Sequence, residues 1–170
     1  MMARSLCVVA VLLMLSCAGP AQPPQPTTIE NIDLGLTLAG LPEGLVLAAN
    51  QGTSLELQPA DEMTDGIVWF EVGPERDGVN LVAAVKTHQE RIEGMVEGAY
   101  MGGQELQGDF GTAFYSRGRY IEQGESLEET VVFMIHPKDS RLLAIHYRYP
   151  AGDDSAARVE QLIDVVSYLE

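Results

Sequence analysis

Glu129-Thr130-Val131-Val132-Phe133-Met134-Ile135-His136-Pro137-Lys138-Asp139-Ser140-Arg141-Leu142-Leu143-Ala144-Ile145-His146-Tyr147-Arg148-Tyr149 is the stretch from which the fold is read. Val131 to Ile135 and Leu142 to Ile145 are apolar at every position, so neither run offers a face to water. Both predict central strands of a sheet that is covered on both sides. The polar, proline-led Pro137 to Ser140 predicts a hairpin loop between them, with His136 opposite Arg141. Upstream, Gly103 to Gln107, Gly111 to Ser116 and Arg119 to Gln123 predict three more strands. From Val79 the apolar period is helical, with Leu81, Val82, Val85, Ile92, Met95 and Val96 near one face and Lys86, Gln89, Glu90 and Glu93 on the other. That predicts a helix of about five turns, capped by Asp77 and stopped at Gly98.

The first part of the domain alternates as strands do: Ile32 to Leu38, Leu45 to Ala49, Ser54 to Gln58 and Ile67 to Val72, punctuated by Gly40-Leu41-Pro42-Glu43-Gly44, Pro59, Asp65-Gly66 and Gly73-Pro74. At the other end, Gly152-Asp153-Asp154-Ser155 opens a terminal helix whose Val159, Leu162, Ile163, Val166 and Leu169 share a face, with Glu160 opposite. The expected class is therefore α+β, an antiparallel sheet with a central amphipathic helix and a C-terminal helix packed on it.

An N-terminal strand leading into Leu41-Pro42-Glu43-Gly44, a central helix, a meander, and a final helix after Leu142-Leu143-Ala144-Ile145-His146-Tyr147 together resemble the PsbP-like α/β/α sandwich. The resemblance is one of element order and covers about residues 29–170. That superfamily includes a lumenal photosystem II subunit, a nuclear Ran-binding protein and small bacterial envelope lipoproteins. It implies an adaptor or assembly role and assigns no residue a function.

The N-terminus predicts export. Arg4 is followed by an uncharged run from Leu6 to Leu15, about 15 Å long as a helix and too short for roughly 30 Å of hydrocarbon. Leu13-Met14-Leu15-Ser16-Cys17 resembles the lipobox of a bacterial lipoprotein signal, with Leu15, Ser16 and Cys17 at matching positions and Met14 where leucine is usual. This implies cleavage before Cys17 and a lipid on its thiol. Ser16-Cys17-Ala18 also fits ordinary signal peptidase cutting after Ala18, which would release a soluble periplasmic or secreted protein.

Residues 18–28 hold Pro20, Pro23, Pro24 and Pro26 and no charge, a composition of solvated polyproline II that reaches at most about 34 Å. The expected organisation is a signal over 1–16, a lipidated Cys17 with a proline-rich tether over 17–28, and one domain over 29–170. Ala18, in place of an aspartate after the lipid-bearing cysteine, implies the outer membrane where the cell has one.

The chain has two cysteines, Cys7 and Cys17, so the folded part has no disulfide and no thiol chemistry. All 25 acidic residues follow Ile29, and loss of the signal with Arg4 makes the net charge one unit more negative than −15. Such a surface repels phosphate backbones and anionic headgroups, which argues against nucleic-acid binding and electrostatic membrane docking. Solubility accounts for the acid; a basic partner or a divalent cation is the sharper reading.

Candidate chemistry is sparse. Asp109-Phe110-Gly111 lacks the phosphate loop and paired lysine of a kinase, and reads as a turn between strands. His136 and His146 lie roughly 16 Å apart along a hairpin, and His88 has no His or Cys one helical turn away, so no metal set forms by spacing. No Gly-x-Ser-x-Gly surrounds Ser116 or Ser126, though triad partners meet in space rather than along the chain. Asp61-Glu62-x-x-Asp65, Glu125-x-x-Glu128-Glu129 and Asp153-Asp154 read mostly as solvated loops without calcium-loop spacing.

Core packing explains most of the aromatic residues on the later strands. Tyr115, Tyr147 and Tyr149, whose hydroxyls need water or a partner, are the candidates for a recognition surface on an open sheet face or groove. The expectation is a membrane-anchored envelope lipoprotein that acts, without a catalytic residue, cofactor or metal, as a binding or assembly module for a protein partner. The alternative is an envelope hydrolase with a deep pocket where His136 or His146 meets a serine or carboxylate.

Overall fold

The computed structural model describes residues 28–61, 66–73, 80–108, 110–152 and 156–169. The signal, Cys17, most of the tether, Asp77 and Asp109 lie outside them. The strands are β1 (Ile29–Asn31), β2 (Leu36–Leu38), β3 (Leu45–Gln51), β4 (Ser54–Pro59), β5 (Ile67–Val72), β6 (Val96–Gly108), β7 (Gly111–Glu122), β8 (Glu125–Ile135), β9 (Leu142–Pro150) and β10 (Val166–Tyr168). Two helices, α1 (Leu81–Glu93) and α2 (Ala156–Val165), complete the described elements.

Seven strands form one sheet in the order β3-β4-β5-β9-β8-β7-β6, with neighbours antiparallel, and β1-β2-β10 form a second, small sheet. The two apolar runs are β8 and β9, at the centre as expected. His136 N donates to Arg141 O at 2.9 Å, the pairing the hairpin loop called for.

Alternation along β8 sends Val131 and Phe133 to one face and Val132 and Met134 to the other. Val131 and Phe133 meet Leu81, Ala84 and Val85 of α1, while Val132 and Met134 join a larger core with Leu162 and Ile163 of α2 and Leu36, Leu38 and Val166 of the small sheet. The molecule is thus layered as α1, the large sheet, then α2 with the small sheet. No helix among the described residues is long and apolar enough to cross a membrane.

Several boundaries differ from expectation. Asn80 caps α1, its Oδ1 accepting from Val82 N at 2.8 Å and Ala83 N at 3.4 Å. The helix stops at Glu93, where Gly94 N returns to Glu90 O and Arg91 O; Met95 forms the bend and Val96 opens β6. The two strands expected over Gly111 to Ser116 and Arg119 to Gln123 are one, β7, which ends at Glu122, because Arg117 and Gly118 stay in register with Thr130 and Glu129. Ile32 to Leu38 is a turn and a short strand, with Ile32 exposed and Gly35 at φ 71°. Val166, assigned by its spacing to the last helix, lies in β10 opposite Leu38, where it is buried.

Candidate functional site

Two adjacent acids of β8 are buried, Glu128 and Glu129, each about 2% exposed. They had been expected among solvated loops. Strand alternation turns Glu129 toward α1 and Glu128 toward α2, and each meets basic side chains there.

On the α1 side, Glu129 Oε1 receives Arg91 Nη2 and lies 3.3 Å from His146 Nδ1 and 3.7 Å from His88 Nε2, while Oε2 accepts from Tyr120 Oη at 3.1 Å. Arg91 and His88 reach it because they project from one side of α1 a turn apart; His146 reaches it from β9. Burial by itself would raise the Glu129 carboxyl, but the hydrogen bonds from His146 and Arg91 and the nearby His88 outweigh it and hold the group well below the carboxylate range. Glu129 is therefore a fixed anion ringed by Arg91, His146, His88 and Tyr120. Burial, and next the Glu129 charge, push the Tyr120 hydroxyl up.

His88 Nδ1 also lies 2.7 Å from Ser116 Oγ. Ser116, His88 and Glu129 thus stand in the order of a hydrolase triad, a convergence that sequence separations of 28 and 41 residues conceal. The geometry does not support nucleophilic attack. Ser116 is fully buried, and His88 Nε2 is beyond hydrogen-bond distance of Glu129. A carboxylate 3.7 Å from Nε2 favours the tautomer with hydrogen on Nε2, so that Nδ1 accepts from the serine hydroxyl. The trio joins α1 to β7 and β8.

Around this ring His146 stacks on Trp69 with ring centroids 4.6 Å apart, and the Arg148 guanidinium lies 5.7 Å from the indole centroid. Arg148 also binds Glu122 at 3.0 Å. A cavity of about 510 Å³ lies between α1 and the sheet, with His88, Arg91 and His146 in its lining.

On the α2 side, Arg117 Nε and Arg119 Nε donate to the two oxygens of Glu128, each at 3.1 Å. Here too burial raises the carboxyl, and the hydrogen bonds of Arg119 and Arg117 prevail and lower it. Tyr149 Oη lies 3.4 Å from Glu128 Oε2 and 3.5 Å from Thr130 Oγ1. Tyr147 and Tyr149, two of the three tyrosines chosen for an open face, are buried in the core because α2 and the small sheet cover their side. Tyr115 is half-buried and borders a cavity of about 440 Å³ with Arg117 and Ile163.

His136 is separate from both acids. Its Nε2 lies 3.3 Å from Gly35 O, its Nδ1 lies 3.2 Å from Asp139 Oδ1 and 3.3 Å from Lys138 N, and its ring meets Tyr168 edge-on. It clasps the β8–β9 hairpin to the small sheet. Ser126 pairs with Ile121 across the β7–β8 hairpin, remote from these histidines in register.

The layers and connectivity define a PsbP-like α+β sandwich. The fold is similar to that of the Ran-binding protein Mog1p of Saccharomyces cerevisiae, at a TM-score of 0.61 and 10% identity over 84% of this chain and 95% of that one. It is similar to cyanobacterial PsbP (CyanoP) of Synechocystis, at 0.59 and 10% identity over 91% of this chain and 98% of that one. LpqN of Mycobacterium tuberculosis, involved in cell envelope biogenesis, aligns at 0.50 and 15% identity over 76% of this chain and 78% of that one. No family model matches the sequence, and no curated protein matches it.

Proposed function

We propose that the chain is a lipid-anchored cell-envelope protein whose domain over 29–170 is a non-catalytic binding or assembly module. The observation that carries the non-catalytic part is the enclosure of Ser116: the trio of hydrolase order found among the described residues has its hydroxyl sealed under α1. The fold supports the binding part, since it is shared with a Ran-binding protein and an envelope-biogenesis protein. The anchor rests on Leu15-Ser16-Cys17, with Ala18 favouring the outer membrane in a Gram-negative cell.

Two measurements test this. Cys17→Ser is expected to abolish acylation and move the protein to the soluble fraction, with the mature mass carrying lipid only when Cys17 is present; an unacylated N-terminus at Gly19 overturns the anchor. Ester hydrolysis by the wild-type chain that disappears in Ser116→Ala would overturn the non-catalytic reading in favour of an envelope hydrolase, for which the Ser116, His88 and Glu129 order is the supporting observation.

A further inference from the structure

We propose that the cavity between α1 and the large sheet is a binding site for a small apolar monocarboxylate, held by its acid group against His88, Arg91 and His146. The cavity, of about 510 Å³, is within the range of small-molecule pockets. Its walls are apolar: Val72 from β5, Ala84 from α1, Phe133 from β8, and Leu142 and Ala144 from β9.

The polar end of the cavity carries hydrogen-bond donors. His88 is 4% exposed, and its Nε2 has no hydrogen-bond partner. With Nδ1 occupied by Ser116, that nitrogen carries the hydrogen, 3.7 Å from Glu129 Oε1 and not bonded to it, on a residue that lines the cavity. His146 Nε2 is likewise buried and unbonded, its Nδ1 being turned to Glu129. Arg91 adds a guanidinium that is 42% exposed and spends one N–H on Glu129, leaving others of its fork for a ligand. Glu129 takes one N–H of Arg91 and the Nδ1 side of His146 and stays beyond hydrogen-bond distance of His88 Nε2, so both Nε2 atoms and the rest of the guanidinium remain for a ligand. The donors outnumber the acceptors of the lining, which are the exposed Glu71 and the Thr87 hydroxyl, and a carboxylate is the strongest partner for that set.

Glu71 supplies an internal precedent. Its carboxylate lies 3.0 Å from His146 Nε2, too poorly aligned to bond it, and its side chain is 68% exposed. It occupies the place of the ligand's acid group and swings into solvent when that group arrives. The site is independent of the lipid anchor and of any catalytic step.

Decanoate and decanol, which share a chain and differ in the head, provide the probes. They are titrated into the protein carrying Cys17→Ser, which removes the lipid acceptor and the need for detergent. Binding is read by calorimetry and by the fluorescence of Trp69, the single tryptophan, which stacks on His146. Decanoate is expected to bind saturably at one per chain, with decanol weaker by about tenfold or more, the scale of a lost charge-assisted hydrogen bond. Ala84→Phe, filling the cavity from α1, is expected to abolish binding, and Glu71→Gln to tighten it. The proposal is overturned by absent or unsaturable binding of decanoate, by decanol binding equally well, or by unchanged binding in a folded Ala84→Phe protein. The comparison of the two probes needs no substitution in the site, so it stands whatever the variant does to folding.

Discussion

Gly118 of β7 lies directly beneath Ile92 of α1. A Cβ placed on Gly118 would fall 2.6 Å from Ile92 Cγ2 and 2.7 Å from Cγ1, inside any real carbon contact. The helix therefore seats on the sheet where a strand residue has no side chain, and this seating brings His88 and Arg91 down to Glu129.

Gly118→Ala should destabilise the domain by about 1 to 3 kcal/mol through overpacking. Ile92→Ala alone should cost about 2 to 5 kcal/mol. The double variant should cost less than the sum, because removing the isoleucine branches frees the space that the new methyl needs. Urea midpoints of the three proteins measure the coupling; strict additivity would mean that the helix does not rest on Gly118.

Glu129→Gln should cost about 3 to 5 kcal/mol at neutral pH, the scale for breaking a buried ion pair. The pH dependence follows from the lowered carboxyl values of Glu128 and Glu129. A depressed folded value contributes stability that is complete above the unfolded value of about 4.5 and is lost as pH falls through and below it. Wild-type stability should thus be level from pH 7 to about 5 on account of these groups and fall below that. The Glu129→Gln curve starts lower and falls less steeply. Chemical denaturation at several pH values provides the check, and parallel curves would show that Glu129 is not held as described.

Leu162→Ala should remove buried contacts between α2 and the sheet and cost about 2 to 5 kcal/mol, whereas Asp164→Ala, on the exposed side, should stay within about 0.5 kcal/mol. Equal, small shifts in denaturant midpoint would mean that α2 does not dock through that face.

Tyr120, Tyr149 and Tyr168 all have hydroxyls raised by burial. Spectrophotometric titration should therefore show these phenols ionising above the ordinary tyrosine range or only on unfolding. Removing the Glu129 charge in Glu129→Gln should bring Tyr120 down. Titration of all six tyrosines at the ordinary value would contradict their burial.

The sequence made the central hairpin legible because two unbroken apolar runs flank a polar, proline-led loop, and that pattern has few other solutions. Helix ends were less legible for a physical reason. Met95 and Val96 continue the helical spacing of α1 although the chain turns at Gly94, and Val166 continues that of α2 while belonging to β10. Arg117-Gly118 looks like a break between strands until Ile92 is seen to need the space.

The site was the least legible part. His88, Ser116 and Glu129 are each unremarkable where they stand, and only the pairing of β7 with β8 and the seating of α1 bring them together. Tyr147 and Tyr149 were placed on a central strand, but which side α2 would cover is not written in their spacing.

Glu128 and Glu129 have a further consequence for how the chain settles its pairing. Residues Val131 to Met134 are buried on both sides of the sheet, so a slip of β8 by one position would replace apolar contacts with other apolar contacts and meet little resistance from hydrophobicity. The acids remove that ambiguity. A slip by one position would carry one acid into the place of the other and strand the second, with Glu129 opposite Arg117 in one direction and Glu128 opposite Tyr120 in the other, so one of the two cation sets would go unfilled. The charges in the middle of the sheet thus act as a key for strand alignment, excluding misregistered sheets that the greasy residues alone would tolerate.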